Sequence, residues 1–142
     1  MTLTVSQRAR LLTGVGLFSG TSVRARKAIA ECAVEVEFPR GRRIARQGET
    51  EAGFFMIVAG PASVVRDGEV LARLGPGDFF GELSLLDRQP RVASVTADEP
   101  TTCLAVPAWD FQRLLESEPG VAAAILKEVA RRLRALTVDQ RH

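Results

Sequence analysis

The sequence predicts a mainly β fold, a small β-barrel or jelly roll with helices before and after it. Two observations carry this. From Val34 to Val106 short alternating or apolar runs recur every several residues, divided by turn-forming residues. On either side the apolar spacing becomes three and four, the period of one helix face. A single domain over 1–142 is expected, with N-terminal helices in 1–33, the β-roll in 34–106 and C-terminal helices in 107–142.

Taken in order, Ser6 to about Cys32 reads as helix, turn, helix. Leu11, Leu12, Val15, Leu17 and Phe18 are apolar, and Gly14, Gly16 and Gly20 interrupt them. Ser19, Thr21 or Ser22 can cap the second helix, whose apolar members are Val23, Ala28, Ile29 and Cys32, with Arg24, Arg26 and Lys27 facing water. Strands are expected at Val34 to Phe38, Arg43 to Ala45, Phe54 to Val58, Ala62 to Arg66, Val70 to Leu74, Ala93 to Ala97 and Thr101 to Val106. Asp67-Gly68 between two β-prone runs signals a type I′ hairpin. Pro61 removes a ladder donor and marks an edge or bulge. Pro107 suits the first turn of a helix reaching about Glu116, and Pro119-Gly120 break it. Ile125, Leu126, Val129, Leu133 and Leu136 then form one apolar stripe, either a dimer seam or a face packed on the chain's own barrel. Trp109 and Phe111 are expected in the core.

Composition narrows function. Nineteen Lys and Arg against seventeen Asp and Glu leave a net charge of only +2, so a basic site must be local. The cluster Arg40, Arg42, Arg43 and Arg46 lacks interleaved aromatics and reads as a solvated face. Histidine occurs once, at His142, which disfavours Ser-His-Asp and Cys-His catalysis and a histidine-held metal, including a jelly-roll metalloenzyme. No catalytic activity and no metal are expected. Cys32 and Cys103 stand singly in apolar surroundings and read as buried free thiols in a reducing, cytoplasmic setting. No run approaches the ~18 apolar residues of a membrane span.

The stretch Gly75 to Val95, GPGDFFGELSLLDRQPRVASV, carries chemistry. Gly81 lets a backbone come close to a ligand, and the N–H groups of the helical turn at Leu83 and Ser84 can donate to an anion. Arg91, fixed after Pro90, can bring a planar guanidinium to the same anion. Glu82 would repel a bare phosphate but suits a neighbouring hydroxyl, so a sugar phosphate satisfies both.

This segment resembles the phosphate-binding cassette of cyclic nucleotide-binding domains, as found in catabolite-activator-like transcription factors, protein kinase A regulatory subunits and cyclic-nucleotide-gated channels. The matching residues are Phe80 to Leu85 and Pro90 to Val95, within a cassette at 80–95, supported by Gly41, Ile44, Gly48 and Glu49, by Phe54 to Gly60, and by Gly77 to Phe80. The resemblance implies a cyclic nucleotide site made of Phe80, Gly81, Glu82, Leu83, Ser84, Arg91, Val92 and Ala93. Glu82 would accept from the ribose 2′-hydroxyl and Arg91 would pair with the exocyclic phosphate oxygens. Backbone N–H groups of Leu83, Ser84 and Val92 would complete the cradle. Family members that favour cGMP commonly carry Thr or Ser after the arginine; Val92 implies cAMP as the ligand. Arg132, Leu133 or Leu136 of the last helix would cover the base.

The expected function is therefore a cAMP-preferring sensor that signals through movement of its C-terminal helices, acting on a protein partner or a second copy through the last helix. Transcription factors of the family continue into a helix-turn-helix; this chain ends six residues past Leu136, so no nucleic acid binding by this chain alone is expected, and no membrane association. Two alternatives stand beside it: a ligand-less structural or interaction module, and the sensing half of a split transcription regulator or channel.

Overall fold

The computed structural model describes residues 3–13, 18, 20–48, 53–81 and 91–139, with side chains in the last helix given for 119–131 and 133–135. Two helices come first, α1 (Val5–Thr13) and α2 (Val23–Cys32). Eight strands follow: β1 (Val34–Phe38), β2 (Arg43–Ala45), β3 (Gly53–Ala59), β4 (Ala62–Arg66), β5 (Glu69–Leu74), β6 (Phe79–Phe80), β7 (Ser94–Ala97) and β8 (Thr101–Pro107). Helices α3 (Ala108–Ser117) and α4 (Pro119–Asp139) end the described chain. The strands form two antiparallel four-stranded sheets, an inner one in the order β1-β8-β3-β6 and an outer one in the order β2-β7-β4-β5.

The inner sheet is covered on both faces, because side chains alternate along a strand. Phe54, Met56, Leu104 and Val106 face the helices and pack with Leu12, Phe18, Ile29, Phe111, Val121 and Ile125. Phe55, Ile57 and Cys103 face the outer sheet and pack with Ala45, Ala62, Phe80 and Val95. Phe54 is the hub of the first cluster, with ring centroids 6.0 Å from Phe18, 5.6 Å from Phe79 and 5.1 Å from Phe111. Phe55 anchors the second, stacked on Phe80 at 5.2 Å and edge-on to Phe38 at 6.5 Å.

The hairpin expected at Asp67-Gly68 is present. Both residues have positive φ, 52° and 80°, as a type I′ turn requires, and Arg66 pairs with Glu69. Ser22 is the cap of α2, its hydroxyl accepting from the Ala25 N–H at 3.1 Å.

Several expectations are corrected. Strand β6 was not anticipated: a two-residue strand has no alternation to detect, yet it sends Phe79 to the helices and Phe80 into the barrel. Strand β7 begins at Ser94 rather than Ala93. Pro61 lies in the turn between β3 and β4, not within a strand, and its carbonyl accepts from Thr101 Oγ1 at 3.1 Å. Pro107 caps α3 instead of entering its first turn, and Pro119 opens α4, so only Glu118 separates the two helices. Trp109 is 77% exposed, because α3 turns Phe111 and Leu114 inward and leaves Trp109 outside. Val23 is likewise exposed. Arg26 is half-buried, donating to the carbonyls of Phe18 and Thr21. The α4 stripe splits: Val121 and Ile125 are buried, whereas Leu126 and Leu133 are 68% and 63% exposed. Residues Val15, Leu17, Ser19 and the side chain of Leu136 lie outside what is described.

Both cysteines are free thiols; Cys103 is buried, while Cys32 is only half-buried. Burial pushes the Cys103 thiol from the ordinary value near 9 up to about 12. The folded chain therefore holds a proton that the unfolded chain releases, and stability falls as pH rises from about 9 towards 12. No tyrosine titrates in that window. The urea midpoint is expected to decline with pH over this range less steeply in Cys103→Val than in the parent, and equal slopes would contradict the assignment.

Candidate functional site

Three segments that are distant in sequence meet where the barrel opens. Gly53 begins β3, Gly81 follows β6, and Arg91 precedes β7. Gly81 has a φ of +99°, which L side chains rarely adopt, and a Cβ placed there would lie 2.2 Å from the Gly53 carbonyl oxygen and 3.3 Å from Arg91 Nη1. The glycine is required on both counts: the backbone is left-handed and the chain passes against β3 without room for a side chain. Arg91 is only 9% exposed. Its Nη2 donates to the Gly53 carbonyl at 3.2 Å, and its own carbonyl accepts from the Gly48 N–H at 2.8 Å. The side chain is thus tied to the first residue of β3 and the backbone to Gly48, three residues past β2.

A cavity of about 270 Å³ opens beside this arginine. Its wall is apolar along Val34, Ile44, Phe55, Ala105 and Pro107, and it carries two guanidinium groups, Arg91 and Arg46. A buried guanidinium at the wall of an apolar cavity is costly unless it is hydrogen-bonded or matched by an anion, and planar N–H forks fit phosphate and carboxylate oxygens best. The cavity therefore sets guanidinium N–H groups that can meet an anionic oxygen against an apolar wall.

Of the residues the sequence singled out, the structure brings Phe80, Gly81 and Arg91 together. Phe80 forms part of the barrel interior, stacked on Phe55. Val92 is 64% exposed and Ala93 is half-buried, both next to Arg91 in the chain. Glu82, Leu83 and Ser84 lie outside the described residues, as does the rest of the segment to Pro90. Two contributors were missed. Gly53 reads in the sequence as mere punctuation, because its part is played by a backbone carbonyl. Arg46 reads as one of a solvated group, and no sequence signal separates it from Arg42 or Arg43; it is exposed, yet it lines the cavity.

Compared with known proteins, residues 35–118 match the profile of the cyclic nucleotide-binding domain. The chain belongs to the cyclic nucleotide-binding domain family. The match runs from the second residue of β1 through α3 and takes in every cavity-lining residue but Val34. A CRP-like cAMP-activated global transcriptional regulator of Mycobacterium tuberculosis is 30% identical over 129 residues, 87% of this chain and 58% of that protein. A cyclic AMP receptor protein of Thermus thermophilus is 37% identical over 107 residues, 72% of this chain and 50% of its own length. The chain thus spans only about half the length of these relatives. Among solved structures, the Thermus thermophilus catabolite activator protein superposes with a TM-score of 0.80 at 32% identity, over 88% of this chain and 61% of the other. The regulatory domain of Toxoplasma gondii PKA with cAMP gives 0.78 at 26% identity, over 89% and 50%. The two-sheet jelly roll with flanking helices is the fold this cyclic nucleotide-binding domain shares with them. Among the described residues no helix is long and apolar enough to cross a membrane, and no cluster of three or more His, Cys, Asp or Glu could hold a metal ion.

The close approach at Gly81 is directly testable. In this cyclic nucleotide-binding domain Gly81→Ala must strain the backbone or push β6 off β3, at a cost of about 1–3 kcal/mol. Urea unfolding should show that loss, and an unchanged midpoint would mean the approach is not as tight as described.

Proposed function

We propose that this chain is a cAMP-preferring regulatory domain, with nucleotide held in the cavity beside Arg91 and occupancy passed to its C-terminal helices. The observation that carries the reading is the burial of Arg91 at the cavity wall, bracketed by Gly53 and Gly81. In this reading the guanidinium pairs with the exocyclic oxygens of the cyclic phosphate. Glu82 takes the ribose 2′-hydroxyl, and the N–H groups of Leu83, Ser84 and Val92 complete the cradle around Gly81, with Phe80 and Ala93 at its edges. These roles follow the sequence pattern and the family. Val92 offers no hydroxyl to a guanine, which favours adenine, and the cAMP named for several relatives agrees.

The route to the helices is short. Pro107 lines the cavity and also caps α3, which has no side-chain hydrogen bond at its start. From there Phe111 packs on Phe54, the neighbour of Gly53 and Phe55. A ligand that prefers one placement of Pro107 therefore biases α3, and with it α4, by its differential affinity for the two placements. On α4, Ala123, Leu126, Ala130 and Leu133 are exposed at alternating spacings of three and four, the pattern of a helix seam, which supports pairing with a second copy or a partner helix. A regulatory rather than catalytic role agrees with the relatives' names, and two free thiols fit a reducing cytoplasm.

Isothermal titration of nucleotide-stripped protein should show cAMP binding, with cGMP weaker, and no heat from either would refute the reading. Arg91→Ala removes a charge-assisted contact worth about 2–5 kcal/mol, so affinity for cAMP should fall roughly thirty-fold or more; unchanged affinity would remove Arg91 from the site. In Val92→Thr the ratio of cGMP to cAMP affinity should rise, and a constant ratio would overturn the argument for adenine.

A further inference from the structure

The basic residues of the β1–β2 turn are not explained by the nucleotide site or by the fold. Arg40, Arg42 and Arg43 are exposed, and none of their guanidinium groups shares a hydrogen bond or ion pair with another described residue. Several other cations are matched, Arg24 with Glu118 at 3.3 Å, Arg73 with Asp98 at 3.4 Å and Arg113 with Asp110 at 2.7 Å, whereas these three lie within four residues of one another without a side-chain partner. The backbone beneath the unmatched charges is nevertheless held firmly. Gly41 N–H donates to the Ala97 carbonyl at 2.7 Å, Ala97 N–H donates to the Arg42 carbonyl at 2.9 Å, and Arg42 N–H donates to the Pro39 carbonyl at 3.0 Å. Three guanidinium groups are thus presented on a turn clamped to the end of β7, so little backbone freedom is lost when they are engaged.

Beside them lies a polar hollow of about 440 Å³ on the outer sheet, lined by Arg43, Gln47, Val65, Asp67, Ser94 and Thr96. Its floor is fixed. Gln47 Nε2 donates to Asp67 Oδ1 at 2.9 Å, Gln47 Oε1 accepts from the Asp67 N–H at 3.1 Å, and Ser94 Oγ accepts from the Gln47 N–H at 2.8 Å. We propose that this turn and hollow form a docking surface for an acidic segment of a partner protein. The guanidinium groups take carboxylates, and the amide and hydroxyl groups of the hollow meet the partner's main chain. A nucleic acid fits less well: among the described residues no aromatic side chain lines the hollow to stack a base. The hollow shares no lining residue with the nucleotide cavity, so its failure and that of the nucleotide reading are separable.

The test is an amide-shift titration of isotope-labelled protein with a short blocked peptide of alternating glutamate and glycine, and in parallel with a short DNA duplex. Shifts are expected at Gly41, Arg42, Gln47 and Ala97 with the peptide. The variant Arg40→Gln/Arg42→Gln/Arg43→Gln should weaken binding about tenfold, the sum of three exposed pairs. Its melting midpoint should match the parent's, since these side chains hold nothing in the fold; a clear drop would overturn that premise and the proposal. Three outcomes would also overturn it: shifts confined to other surfaces, equal weakening by the control Arg10→Gln/Lys27→Gln/Arg134→Gln, or tighter binding of the duplex at the same amides.

Discussion

The structure depends on one strand being buried on both faces. In β3 successive phenylalanines, Phe54 and Phe55, point into different cores, one beneath the helices and one between the sheets. A shift of one residue in its pairing would send each ring to the wrong side, so the register of β3 against β8 is strongly specified. Gly53 precedes this pair and inherits that precision. The carbonyl that receives Arg91 is placed by the packing of two aromatic rings, Phe54 beneath the helices and Phe55 at the cavity wall.

The same strand explains why cavity and helices are mechanically close. Phe54 touches Phe111 on α3, Phe55 lines the cavity, and Gly53 pairs with Pro107, which belongs to both. Well-packed interiors transmit displacement because they have few voids to absorb it. A change in cavity occupancy therefore has a short physical path to α3, crossing a single layer of aromatic side chains. On the other side of the barrel, the outer sheet presents hydroxyls, amides and arginines to solvent, and its edge strand β5 carries a bulge between Val70 and Ala72 that blunts edge-to-edge pairing.

Much of this was legible in the sequence because the fold uses local signals. Alternation marks the longer strands, Asp67-Gly68 marks its hairpin through the positive φ both residues adopt, and Ser22 marks a helix start. The segment around Gly81 and Arg91 stood out because glycine, carboxylate, proline and arginine occur there at fixed spacing. What escaped notice depends on tertiary context. β6 is too short for a period, and the part of Gly53 is played by a main-chain oxygen that any residue possesses. Trp109 was misplaced because an aromatic beside Phe111 looks like core, whereas the helix has room for one of them on its inner face. Pro119 looked like a break, yet a proline breaks the preceding helix and starts the next with equal ease. The charge of Arg40, Arg42 and Arg43 could be counted from the sequence, but not that their neighbours would leave them unmatched.

The outward position of Trp109 has an optical consequence. It is the sequence's one tryptophan, there is no tyrosine, and it sits two residues beyond Pro107 on the helix that adjoins the cavity. Near-ultraviolet emission from this molecule therefore arises from a single indole in a water-facing setting. The protein carries an intrinsic, label-free gauge of the environment at the start of α3, with no second indole and no phenol to dilute the reading.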